Sequence, residues 1–319
     1  MKRHLISHFL ILIFVFAFAI LTSAQQLTLP RPSQKASVMQ TVGVTDITIT
    51  YFRPGVKGRL IFAEAPKTMA DRAKGQMTLD NSFERQPGEP IVPYGYMWRT
   101  GANDATQFTV SDDVMINGQK LAAGSYSLHT IPGKTEWTII FNGAANQWGS
   151  FNYDASKDTL RVKAKPESVK DNQEWLMFSF DPVANDSATV NIRWEKTRVP
   201  FTVTVDTVAT AMAKALSFLT TAKPDNWGAR YSVGNYAVQN KLNDEGMTLL
   251  AEALRMVDES IKTKETYQNL AGRANILFSM NRKDEGFAAA AKAIAFGKAN
   301  KANTAGLESR VADLKAGKM

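Results

Sequence analysis

No cysteine occurs among the 319 residues. That absence excludes disulfide staples, thiolate zinc sites and cysteine nucleophiles, so stability must come from the core alone, which a chain of this length can supply. Histidine is almost as scarce, with only His4, His8 and His129. Once the N-terminal leader described below is set aside, His129 stands alone, and a multi-histidine metal site is out of reach. Also missing are Gly-x-Ser-x-Gly, the phosphate loop, the dinucleotide fingerprint and His-Glu-x-x-His. EF-hand spacing of acids is missing too. No cofactor and no metal are expected. Beyond residue 24 no apolar run reaches membrane length. The net charge of +8 falls to about +6 without Lys2 and Arg3. The basic residues are scattered, so the charge reads as solubility and nucleic acid is not an expected partner.

What is present begins with a leader. Lys2 and Arg3 precede an unbroken apolar run from Phe9 to Leu21, and Thr22-Ser23-Ala24 offers small residues for cleavage before Gln25. This three-part pattern over residues 1–24 predicts a secretory signal peptide. Thirteen apolar residues rise about 20 Å as a helix, short of the roughly 30 Å hydrocarbon core, so an uncleaved anchor is the lesser alternative. With no cysteine after the run, a lipid anchor on cysteine is excluded. The expected location is periplasmic or extracellular, with membrane contact only through the signal peptide before its removal.

From Ser37 to Asp206, within a domain expected over about 27 to 206, the pattern has a period of two. Ile47, Ile49 and Tyr51 alternate with threonines and Phe52, and Tyr126, Leu128 and Thr130 alternate with Ser127, His129 and Ile131. Trp137, Ile139 and Phe141, then Val190, Ile192 and Trp194, then Val199, Phe201, Val203 and Val205 continue the series. Asn117-Gly118 is a hairpin signal, and Pro132-Gly133 marks another turn. About nine short strands without helical windows predict an antiparallel β-sandwich or jelly-roll-like domain. Residues 63–90 interrupt it as a polar insertion, with a short helix predicted over Thr68–Gly75; such a segment is either a tolerated insertion or a flap over the stretch it feeds.

After Asp206 strand patterning stops, and 207–319 reads as a helical domain. Asp244-Glu245-Gly246 recurs as Asp284-Glu285-Gly286, a separation of forty, and Glu252-Ala253-Leu254 recurs as Lys292-Ala293-Ile294. The pattern resembles tetratricopeptide helix pairs with a longer period, although Lys241 and Asn281 stand where that family places a glycine. A plain helical bundle is the blander expectation; a protein-partner surface is the sharper one.

The ordered motifs Thr45-Asp46-Ile47-Thr48-Ile49-Thr50-Tyr51, Arg53-Pro54-Gly55-Val56-Lys57-Gly58-Arg59, Pro93-Tyr94-Gly95, Trp98-Arg99-Thr100-Gly101-Ala102-Asn103, Ala123-Gly124-Ser125-Tyr126, Asn146-Gln147-Trp148-Gly149 and Trp194-Glu195-Lys196-Thr197-Arg198-Val199-Pro200-Phe201 carry a family resemblance. Together they resemble the bacterial family designated domain of unknown function 2911 (DUF2911), common in exported proteins of Bacteroidetes-type bacteria. The likeness spans about Leu29 to Asp206. The family implies no settled activity. The intervening 63–90 segment departs from members that pass quickly to the Pro-Tyr-Gly motif.

The stretch from Pro93 to Thr106 has neither strand nor helix periodicity and concentrates aromatic and planar polar groups. Trp98 and Trp148 fall outside the strand alternation, beside Arg99, Asn103, Asn146 and Gln147, a grouping suited to stacking on a sugar face, a peptide or an apolar ligand. The blander alternative has Trp98 plugging the end of the sandwich while Arg99 bonds loop carbonyls, and for Trp148 that alternative is preferred. Trp137 and Trp194 lie on the apolar phase and read as core. Tyr94, Trp98, Arg99, Asn103, His129, Trp148 and Arg198 are the ligand-binding candidates, with Arg198 reading first as an ion-pair partner. The leading expectation is a non-catalytic binding module for an envelope or extracellular glycan or peptide, with a helical tail for protein contacts. The alternatives are a hydrolase using His129 or a carboxylate pair drawn from Glu136, Glu174 and Glu195, and a structural or assembly protein of the envelope.

Overall fold

The computed structural model describes residues 29–73, 78, 80 and 86–318. The expected signal peptide and part of the 63–90 insertion lie outside these residues. Alternating apolar residues place two antiparallel sheets face to face. The first runs β1 (Gln34–Val42), β2 (Thr45–Arg53), β5 (Thr106–Val110), β8 (Gly124–Ile131), β9 (Trp137–Asn142) and β10 (Asp158–Ala164), in that spatial order. The second runs β11 (Glu167–Val183), β12 (Ser187–Thr204), β6 (Val114–Ile116) and β7 (Gln119–Leu121). Ile47, Ile49, Phe108, Leu128, Trp137 and Phe141 from the first sheet meet Val190, Trp194, Val199 and Phe201 from the second in one buried cluster. Each such side chain stabilises the fold by roughly 1.5–3 kcal/mol through removal from water.

Asn117 and Gly118 both adopt left-handed backbone, at φ 46° and 80°. The β6–β7 hairpin requires that, because a two-residue turn of this hand matches the strand twist. The structure has more strands than the sequence pattern suggested. Its additions are short, such as β3 (Phe62–Ala63) paired in parallel with β4 (Val92–Pro93). The runs ending at Trp194 and beginning at Val199 belong to one strand, β12, whose pairing with β11 shifts register around Glu195, at φ 53°. Within the insertion, α1 spans Lys67–Ala73, near the predicted short helix.

The outer face of the six-stranded sheet is unusual. Register places Ser37 opposite Thr50, Thr50 opposite Gln107, Gln107 opposite Ser127, Ser127 opposite Asn142, and Asn142 opposite Asp158. A single polar row therefore crosses all six strands. Its β8–β10 end is roofed by the chain between β9 and β10, which buries Ser127 and Asn142; its β1–β5 end stays open.

Helices follow. They are α2 (Thr207–Thr221), α3 (Trp227–Gln239), α4 (Asn243–Thr263), α5 (Tyr267–Ser279), α6 (Lys283–Ala299) and α7 (Ala305–Lys315). The recurring Asp-Glu-Gly triplets open α4 and α6, and Ala253 and Ala293 are fully buried. Lys241 and Asn281 take left-handed backbone at φ 66° and 59°, and the next residue's N–H closes each helix end onto Ala237 O and Leu277 O. Among the described residues no helix is long and apolar enough to cross a membrane.

Candidate functional site

The Pro93–Thr106 stretch is anchored at both ends. Trp98 exchanges backbone hydrogen bonds with Thr130 on β8, at 2.8 and 2.9 Å. The residue is only 8% exposed, and its ring donates from Nε1 to Gly101 O at 2.9 Å and stacks on Trp194 at 5.5 Å between centroids. Trp98 thus packs the end of the sandwich and presents no exposed ring, because its backbone bridge to β8 turns the side chain inward. Thr100, a β-branched residue at φ 53°, is held there by Thr106 Oγ1 donating to its carbonyl at 2.8 Å and by its own Oγ1 donating to Thr130 at 3.1 Å.

Beyond Thr100 the chain is zipped to the β9–β10 connection. Ala105 N–H donates to Gln147 O at 2.9 Å and Gly149 N–H to Asn103 O at 3.0 Å, forming a ridge of residues 103–105 and 147–149. Arg99 donates to Asn103 O at 2.6 Å and pairs with Asp80, whose second oxygen accepts Ser150 N–H at 2.5 Å. Asp80 is a residue the sequence reading did not single out. It comes from the insertion, and no local pattern distinguishes it from neighbouring acids. Asn103 donates to Ser33 O at 3.1 Å, tying the ridge to the start of β1.

Clefts open on either side of this ridge. One, of about 320 Å³, is lined by Ser33, Arg59, Asp80, Trp98, Arg99 and Asn103, but its arginines are already engaged with Asp80 and with backbone carbonyls. The other, also about 320 Å³, lies over the open end of the polar row. Thr50, Phe52 and Gln107 form its floor, Lys35 and Asp104 its flanks, and Asn146 to Trp148 its wall. Trp148 is 54% exposed, and the Arg31 guanidinium lies between it and Phe52, 5.2 and 5.4 Å from the ring centres. Arg31 also approaches Asp104 at 3.8 Å. The expected exposed aromatic beside planar polar groups is therefore Trp148, not Trp98. Lys35, Phe52, Asp104 and Gln107 complete this cleft, with Arg31 at its rim against Trp148 and Asp104, and none was singled out from the sequence, since strand register and the loop before β5 bring them together only in the fold.

His129 lies beneath the roof of the polar row with no exposure. Its Nε2 meets Ser127 Oγ at 3.2 Å and its Nδ1 meets Ser150 Oγ at 3.4 Å. Burial pushes its pKa down to about 4, against the opposing pull of Asp80 and Asp158, so the ring is neutral near pH 7. No hydrogen bond among the described residues joins it to a carboxylate; its two ring nitrogens meet serine hydroxyls. Asn142 donates to Asp158 at 2.7 Å, and Gln147 Nε2 donates to Ser127 Oγ at 3.0 Å, completing the roofed network. Asp158 also accepts from Tyr153 at 2.5 Å; burial first, and then this bond, raise the Tyr153 phenol far above its usual range.

The remaining candidates lie elsewhere. Tyr94 lines a third cleft with Phe62, Trp137, Glu195 and Lys196; burial raises its pKa, with Glu64 and Glu195 adding to the effect. Arg198 donates to Glu167 at 3.0 Å and to Asn191 Oδ1 at 2.7 Å, as an ion-pair partner would. The three glutamates do not converge: Glu136 pairs with Lys163, Glu174 accepts Lys57 N–H, and Glu195 lines the Tyr94 cleft. Among the described residues no group of three or more acids and histidines could hold a metal ion.

Two facing antiparallel sheets, an outer-face polar row and a helical C-terminal region define the class of molecule. Residues 33–203 match the family described as "Protein of unknown function (DUF2911)", and the chain belongs to that family. No curated protein and no solved structure matches it.

Proposed function

We propose that the protein is an exported, non-catalytic binding module that takes a glycan or peptide of the envelope or its surroundings in the Trp148 cleft. One observation carries this reading: a half-exposed indole, flanked by charged and amide side chains, stands over an open polar row. Aromatic faces gather apolar ligand faces, and converging polar groups fix orientation. The leader pattern of residues 1–24 supports export. The helical region, with Phe218 exposed, serves protein contacts in this reading.

Thermal unfolding against soluble oligosaccharides and peptides tests the site. A bound ligand at about a hundred times its dissociation constant adds roughly 2.7 kcal/mol, a rise of a few degrees. The expected result is a rise that Trp148→Ala abolishes while the unliganded transition stays in place. A rise that survives Trp148→Ala removes the cleft from the proposal. Mass analysis of the exported product tests the leader, with an N-terminus at Gln25 expected.

A further inference from the structure

Resting on that binding-module reading, we propose that the ligand is an acidic oligosaccharide: a sugar ring stacks on Trp148, its hydroxyls bond the polar row, and its carboxylate is received by Lys35. The open end of the row offers alternating donors and acceptors. Gln107 donates Nε2 to Asn146 Oδ1 at 3.1 Å, and the Gln107 carbonyl oxygen and the Asn146 amide hydrogens take no part in that bond and keep their bonding capacity. Thr50 Oγ1 shares a hydrogen bond with Ser37 Oγ at 3.2 Å, and either hydroxyl has bonding capacity remaining. Neighbouring strands lie about 4.8 Å apart, so successive members of the row are spaced on the scale of one sugar ring. Hydroxyls both donate and accept, and a row of this composition suits them better than it suits a purely apolar guest.

Charge selects among sugars. Asp104 is the acid lining this cleft, and Arg31 stands beside it at 3.8 Å. Lys35, an exposed residue opposite Phe52 in the β1–β2 register, makes no ion pair among the described residues. With Arg31 offsetting Asp104, the cleft carries one uncompensated cation beside an aromatic face. A carboxylate on the stacked ring complements it, and charge-assisted hydrogen bonds are the stronger kind.

The same geometry speaks against a peptide. Peptides that lie on sheets add to an edge, where backbone N–H and C=O groups are unpaired. The floor of this cleft is β2 and β5, interior strands whose backbone groups are spent in the ladders with β1 and β8. Recognition here falls to side chains, and the volume of about 320 Å³ sits at the low end for small-ligand clefts (~300–1,000 Å³), enough for a short segment of a longer chain.

Calorimetric titration of the exported protein, residues 25–319, decides the matter with three kinds of probe. The first is a set of uronate oligosaccharides (galacturonate, mannuronate and glucuronate series). The second is their methyl esters, which keep the ring and remove the charge. The third is a glutamate oligopeptide. At least one uronate series is expected to bind, its ester about tenfold more weakly, and the peptide not at all. Trp148→Ala should abolish uronate binding, and Lys35→Gln should weaken it about tenfold without weakening the ester. Equal binding of ester and acid, or binding of the peptide alone, overturns the acidic-saccharide assignment and leaves the binding module standing. Absence of binding by all three overturns the acidic-saccharide assignment, and the binding module itself then falls only if the wider thermal-unfolding screen of oligosaccharides and peptides also shows no rise. Circular dichroism of each variant confirms that a lost signal is not a lost fold.

Discussion

Trp98 stacks on Trp194 inside the sandwich, whereas Trp148 stands half-exposed against Arg31. The two stand in the sequence in similar settings, each in a loop beside planar polar residues; the sequence favoured Trp98 over Trp148 as the exposed ring, and the structure reverses that order. Trp98→Ala should therefore cost about 3–5 kcal/mol, the range for removing a large buried ring. Trp148→Ala should cost under about 1 kcal/mol, since an exposed cation–π contact contributes no more. Denaturant unfolding of the two variants measures both. Composition alone could not separate them; the backbone bridge of Trp98 to Thr130 did. His129 gives the second expectation at this scale. Its pKa is about 4 in the folded protein against an ordinary 6.5, so between these values the unfolded chain binds the proton first. Stability is full above pH 6.5 and is lost as pH falls towards 4, by about 3 kcal/mol at the lower end. Carboxylates with lowered pKa, such as Asp112, lose their contribution further down, below about 3.8. His129→Gln should flatten the melting temperature between pH 6.5 and 5, and an unchanged slope would show that another group titrates there.

Elements were legible wherever a local pattern decides them. The alternation at Ile47–Tyr51, the Asn117-Gly118 turn and the recurring Asp-Glu-Gly triplets each locate an element by chemistry confined to a few residues. The polar row of Ser37, Thr50, Gln107, Ser127, Asn142 and Asp158 was not legible, because its members are brought together only by register across six strands. Asp80 escaped for the same reason: its partners, Arg99 and Ser150, lie far along the chain. In the helices the repeated glycines test how alike the two units are. A Cβ at Gly246 would lie 2.9 Å from both Gly234 O and Val238 N, backbone atoms that cannot step aside. At Gly286 it would meet the Phe278 ring at 2.5 Å, and forty residues on from Gly234 stands Ala274. Overpacking costs about 1–3 kcal/mol, against a helix-propensity gain of at most about 1 for Gly→Ala. Gly246→Ala should thus be net destabilising, and more so than Gly286→Ala, whose aromatic neighbour can rotate. Loss of ellipticity at 222 nm on heating reads the difference.

At the scale of the whole molecule the apolar groups fall into separate cores. The sandwich cluster draws on residues from Val42 to Val205, and the helical clusters draw on residues from Met212 to Leu314. What joins the halves is polar and local. Lys214 on α2 donates to Val44 O and to Asp112, each at 2.7 Å, and Thr207 reaches Asn185 O at 3.3 Å. Exposed contacts of this kind contribute little coupling, typically under about 1 kcal/mol each, so regions with their own cores should unfold in separate steps. The tryptophans make the steps visible: Trp98, Trp137, Trp148, Trp175 and Trp194 lie in the sandwich strands and loops, and Trp227 alone lies in the helices. Tryptophan fluorescence should then follow chiefly the sandwich, and ellipticity at 222 nm chiefly the helices. Trp98→Ala should lower the midpoint seen by fluorescence and leave the 222 nm midpoint in place, and Gly246→Ala should do the reverse, because distant sites without shared partners act independently. If instead either substitution shifts both midpoints together, α2 transmits stability between the halves, and Lys214→Ala should restore their independence by removing its bonds to Val44 and Asp112.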